Sequence, residues 1–125
     1  MDVFALQGDA NQLGRSLSQL GYAYFTADRT EEAQDAFLRA EVALSEARDT
    51  QYRGRALLNI GHLQMQELNY GRAADYFERA LECFLQSGDL ASTAQVYALL
   101  GDSRRQQGNL ESAAEAFRNM TALRS

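Results

Sequence analysis

The chain has 125 residues, 46% apolar and 23% charged, enough for one domain with a real core and too ordered in composition for a disordered, collagen-like or low-complexity protein. All 12 basic residues are arginine, yet the net charge is −5 and the pI about 4.8. That balance argues against nucleic acid and against an anionic membrane surface as partners.

No proline interrupts the chain, which favours uninterrupted helices. Met1-Asp2-Val3-Phe4 carries neither a basic leader nor a long apolar run, so it does not read as a signal peptide. No apolar stretch approaches the roughly 20 residues of a membrane span. Positions 40 apart then repeat: Asp9/Asp49/Asp89, Gly21/Gly61/Gly101, Ala33/Ala73/Ala113 and Phe37/Phe77/Phe117. Composition alone gives fewer than about one such column. The expected organisation is residues 1–8 as the tail of a preceding unit, then units at 9–48, 49–88 and 89–125.

Each unit reads as two helices of about 16 residues, roughly 24 Å each. Asp9 with Gln12 forms a candidate capping box, and Asp49 and Asp89 repeat the N-cap. Leu17, Leu20, Gly21 and Tyr24 follow helical spacing in the first helix. After a polar turn, Thr30, Asn69 and Asn109 are the expected caps of the second helices, and Gly108 suits the left-handed end of the helix before it. Ala33/Phe37/Ala40, Ala73/Phe77/Ala80 and Ala113/Phe117/Met120 form the inward stripes. Phe4, Leu44 and Phe84 form a further column that continues the helices, with Arg124 in the last unit. Glycine inside a helix costs about 1 kcal/mol relative to alanine. Three at one phase therefore predict close helix crossings, with Ala33, Ala73 and Ala113 as the facing residues and the phenylalanines filling the space between.

Leu17-x2-Leu20-Gly21-x2-Tyr24 followed by Ala33-x3-Phe37, recurring in phase, resembles the tetratricopeptide repeat (TPR). The period is 40 rather than 34 and the usual proline is missing, so both helices are expected to be longer. Gly54-Arg55-Ala56-Leu57-Leu58-Asn59-Ile60-Gly61 is also similar to the longer repeats of spindle-orientation adaptors, and bacterial peptide-sensing regulators carry comparable units. The resemblance implies an all-α fold, a right-handed α-solenoid of three helix-turn-helix repeats. It implies a protein–protein interaction module whose first helices line a concave groove for a peptide or partner segment.

On that basis the expected groove residues are Arg15, Gln19, Tyr22 and Phe25 from unit 1, Arg55, Asn59, His62 and Met65 from unit 2, and Asp102 and Arg105 from unit 3. Arginine forks grip carboxylates, so partners with acidic side chains are candidates. Asn59 and Gln19 can hydrogen-bond a peptide backbone. Tyr22, Phe25 and Met65 can supply apolar pockets. Arg15 and Arg55 could equally pair with acidic neighbours, and Phe25 could belong to the core. His62 reads as a groove residue rather than a catalyst. A carboxylate clamp of the chaperone-tail kind is disfavoured, because only Asn59 among Ser18, Tyr22, Asn59, Gln95 and Leu99 fits it.

One cysteine, Cys83, and one histidine, His62, leave no basis for a Cys/His metal site or a Cys–His nucleophile pair. No phosphate loop or nucleophile–base pair is present, so neither catalysis nor a cofactor is expected. Cys83 reads as an inert packing residue suited to a reducing compartment such as the cytoplasm. Two alternatives to groove binding stay open: self-association through exposed repeat ends into a scaffold, and an accessory domain of a larger regulator.

Overall fold

The computed structural model describes the backbone of residues 3–124 and the side chains of residues 8–124. Met1 and Asp2 of the expected tail, and the side chain of Phe4, lie outside the described residues. Six helices follow one another: α1 Val3–Thr26, α2 Thr30–Glu46, α3 Thr50–Gln66, α4 Tyr70–Ser87, α5 Leu90–Gln106 and α6 Leu110–Arg124. Each packs on the next in chain order. The result is an all-α solenoid of three helix pairs, with its apolar contacts strung along the stack.

The five turns share one geometry. Asp28, Arg48, Leu68, Gly88 and Gly108 all adopt positive φ, between 57° and 79°. At each, two backbone bonds close the preceding helix: Asp28 N–H to Phe25 O at 3.2 Å and Arg29 N–H to Tyr24 O at 2.9 Å in the first, Gly108 N–H to Arg105 O and Asn109 N–H to Arg104 O, both 2.9 Å, in the last. This is the Schellman arrangement, which satisfies carbonyls that a helix end leaves open. Gly108 takes the left-handed conformation as its sequence context suggested.

Caps follow from the same turns. Asp49 and Asp89 accept from the backbone N–H of Tyr52 at 3.1 Å and Ser92 at 3.0 Å, as expected of N-caps. Each carboxylate also ties its unit to the one before: Asn11 Nδ2 donates to Asp49 Oδ2, and Gln51 Nε2 donates to Asp89 Oδ2 at 2.6 Å. Asp9 differs. It lies inside α1, which runs unbroken from Val3 to Thr26, and so caps nothing. Among the described residues no helix folds back ahead of it to force a turn, and a formed helix gains a hydrogen bond with each added residue. Thr30 is likewise the first helical residue; the cap position is Arg29, whose guanidinium pairs with Glu32 at 2.5 Å. Asn69 occupies its expected cap position but turns its amide to Gln64 Oε1 at 3.2 Å.

The glycine columns explain the pairing. A Cβ on Gly21 would sit 2.7 Å from the ring of Phe37, one on Gly101 would sit 2.7 Å from Phe117, and one on Gly61 would meet Phe77 closer still. The surface each glycine opens is therefore filled by the phenylalanine ring, as the repeating columns predicted. Gly14 and Gly54 form a second such column against Leu44, at 2.5 Å, and against Cys83 and Phe84, both at 3.0 Å. The middle of the stack is driest: Phe37, Phe77, Phe84, Leu57, Ile60 and Val96 are fully buried. Cys83 is buried in the same core, and burial pushes its thiol pKa up, as suits an inert packing residue.

Candidate functional site

The first helices of units 1 and 2 present one polar-aromatic surface. Arg15, Gln19, Tyr22 and Phe25 recur at three- and four-residue spacing along α1, and Tyr52, Arg55, Asn59 and His62 do so along α3. Such spacing keeps side chains on one helix face. Between the two helices lies a cavity of about 420 Å³ lined by Arg15, Ser18, Gln19, Tyr22, Tyr52, Arg55 and Asn59. A second cavity of about 220 Å³ adjoins it, lined by Tyr22, Phe25, Phe37, Asn59 and His62. Tyr22 and Asn59 belong to both walls, which makes the two a continuous groove. Low residue numbers on α1 meet low numbers on α3, so the helices run in the same direction.

The cationic end is built around Tyr52. The Arg15 guanidinium lies 4.1 Å from the Tyr52 ring centroid, and that of Arg55 lies 5.4 Å from it. Arg15 also faces Asp49 at 3.6 Å with half its side chain exposed, a contact of little net stability. Among the described residues Arg55 forms no salt bridge. Both arginines have an acidic neighbour: Arg15 faces Asp49, and Arg55 lies in the field of Asp89 without forming a salt bridge to it. Tyr52 was not among the expected groove residues. Its signal was the stripe it shares with Arg55, Asn59 and His62, masked by its place in the first turn of α3, where its N–H serves the Asp49 cap.

The apolar end is built from rings. Tyr22 and Phe25 stack with centroids 6.3 Å apart, and His62 lies edge-on to Phe77 at 6.0 Å. Desolvation holds the His62 pKa below its ordinary value, so the imidazole is neutral at pH 7. Phe25 serves both expectations, packing on the Phe37–Ile60 core and lining the cavity. Among the described residues the amides of Gln19 and Asn59 make no side-chain hydrogen bond, so their donors and acceptors are available to a guest.

Seven of the ten expected residues meet in this groove: Arg15, Gln19, Tyr22, Phe25, Arg55, Asn59 and His62. Three do not line its cavities. Met65, half-buried in the last turn of α3, packs against the core cluster that contains Phe77 and Leu100. Asp102 and Arg105 pair with each other at 3.2 Å along the exposed face of α5, each satisfying the other's charge one turn away.

The chain's relatives agree with this architecture. The Tetratricopeptide repeat family matches residues 52–124, and a second profile of the same description matches residues 14–41. No curated protein matches the chain significantly. The TPR domain of Arabidopsis FLU superposes with a TM-score of 0.81 at 18% identity, over 90% of this chain and 95% of that one. BtubC from P. vanneervenii gives 0.82 at 20% identity, over 89% of this chain and 46% of its own. Aspartyl phosphate phosphatase F from Bacillus subtilis gives 0.86 at 26% identity, over 91% of this chain and 30% of that protein. Domains of this fold are general protein–protein interaction modules, typically scaffolds rather than enzymes. The profile match covers more than half of the sequence, and the chain belongs to the tetratricopeptide repeat family.

Proposed function

We propose that the protein binds an extended segment of a partner protein in the groove between α1 and α3. The observation that carries this reading is the pair of adjoining cavities, with Asn59 in both walls and its amide uncommitted. An extended peptide presents unpaired backbone N–H and C=O groups, which a free carboxamide can bond in both senses. Arg15 and Arg55 favour acidic side chains on that segment. The single buried cysteine suits work in a reducing compartment such as the cytoplasm. Peptides selected from a displayed random library test the reading. The pair of changes Arg55→Glu and Asn59→Ala, in a chain that keeps its helical circular dichroism, is expected to abolish their binding. Unchanged affinity in that variant sinks the groove.

A second reading has its own observation. Leu20 is 44% exposed on α1, whereas its column mate Ile60 is fully buried against α2. Leu13, 54% exposed, lies on the same helix two turns earlier. Copies stacked head to tail would cover this face and form an open, scaffold-like assembly. Sedimentation over a wide concentration range tests it, and a strictly monomeric protein at high concentration removes it.

A further inference from the structure

Given the α1/α3 groove proposed above as the binding surface, the chemistry of its two cavities fixes what it selects. We infer that the groove reads two side chains of one extended segment at once: a carboxylate at the Arg15–Arg55 end, and a large apolar side chain, leucine or phenylalanine, against Tyr22, Phe25 and His62, about three residues away.

Charge complementarity selects the first anchor. Two guanidiniums share the Tyr52 ring, Arg15 with a 3.6 Å contact to Asp49 and Arg55 in the field of Asp89 but with no salt bridge among the described residues. A carboxylate entering there meets two forks held in place by stacking. Size and polarity select the second. The Tyr22–His62 cavity, about 220 Å³, is smaller than the roughly 300–1,000 Å³ of a small-molecule site, which suits a single side chain. Its walls are the stacked Tyr22–Phe25 pair, Phe37 and the His62 imidazole, which desolvation keeps neutral beside an apolar guest. The spacing follows from helix geometry. Arg55 and His62 are seven residues apart, roughly 10 Å along α3. An extended chain advances about 3.3 Å per residue, so about three residues span the interval between the cavities. Asn59 lies between the anchors and faces the backbone of the residue that joins them.

The test uses the full chain and short fluorescein-labelled peptides in a neutral Ser/Gly/Asn context. One set carries Glu-x-x-Leu, a second replaces either anchor by Ala, and a third separates Glu and Leu by a longer Ser/Gly stretch. Anisotropy titration is expected to show a gain of about tenfold for the closely spaced pair over every control. Arg55→Gln should erase the preference for Glu alone, and Tyr22→Ser the preference for Leu alone. Tyr22 is 59% exposed, so its loss spares the core. Peptides that bind and are weakened by Asn59→Ala, but without a linked Glu and Leu preference, overturn the two-anchor inference and leave the groove standing. Failure of every peptide to bind the folded chain overturns the inference and, once displayed libraries also select nothing, the groove reading with it.

Discussion

The middle and last helix pairs are built from the same residues and end in different environments. Gly61 meets Phe77 in one, and Gly101 meets Phe117 in the other, with an alanine four residues before each ring. Phe77, Ala80 and Phe84 are fully buried, whereas Phe117 and Met120 are only half-buried and Arg124 is exposed. The crossing is a local property of the pair. Dryness is contributed by the next unit: α5 covers α4 with Val96 and Leu100, and among the described residues no helix covers the outer side of α6. Stability in such a stack is a sum of unit and interface terms.

Truncating the two rings tests this contrast most severely. Phe77→Ala should cost about 3–5 kcal/mol, the range for a fully buried aromatic. Phe117→Ala should cost about half of that, since a half-buried ring removes less area from water. Urea unfolding measures both, and equal losses would break the comparison. Overpacking comes next. Gly61→Leu should lower stability by about 3 kcal/mol, because the Phe77 ring is enclosed. Gly101→Leu should cost less, because Phe117 can give way toward solvent. An unchanged Tm for Gly61→Leu would refute the close crossing.

The junction between the middle and last units has an acid signature. Hydrogen bonds from the Ser92 hydroxyl, the Gln51 amide and the Ser92 backbone N–H lower the Asp89 pKa to about 2. Its value in the unfolded chain is about 3.9. A depressed carboxylate pKa contributes stability that is fully present above pH ~4 and is lost as the pH falls toward 2. Asp89→Ala should therefore cost about 1 kcal/mol at neutral pH, as for other N-caps. Its deficit relative to the parent should shrink between pH ~4 and ~2. A pH-independent deficit would mean that the carboxylate charge does not hold this junction.

The smallest expected effect contrasts two turns. Leu68 and Gly108 occupy the same turn position with φ of 63° and 79°, and Leu68 is 67% exposed. Leu68→Gly should stabilise the chain by about 1 kcal/mol by relieving the left-handed strain of a side-chain-bearing residue. Gly108→Ala should lose a similar amount. Thermal unfolding distinguishes the pair, and a loss at Leu68→Gly would show that its side chain holds the turn through packing.

The columns at Gly21 and Phe37 were legible because each places one residue type at one fixed role, forty residues apart, and the Asp49 column was legible with Asp9 as its exception. The groove stripe was legible on α1 and α3 for the same reason, since helical spacing alone brings Arg15 to Tyr22 and Arg55 to His62 onto common faces. Tyr52 escaped because its backbone has a capping task that hid its ring's place in the stripe. Met65, Asp102 and Arg105 share the stripe's phase but do not line the two cavities: Met65 packs half-buried against the core, and Asp102 and Arg105 pair on an exposed face. Phase says which way a side chain points from its own helix and nothing about what stands opposite.

By itself the sequence determined the repeat, the six helices, the family and the glycine–phenylalanine pairing positions, because these rest on periodicity and on local backbone preference. Only the tertiary structure decided that α1 runs straight through Asp9, that Gly14 and Gly54 form a second close contact against Leu44 and Phe84, and that two cavities meet at Asn59. Those outcomes depend on which helix lies against which. Burial, strain and enclosed volume are properties of that contact, which no single helix carries in its own residues.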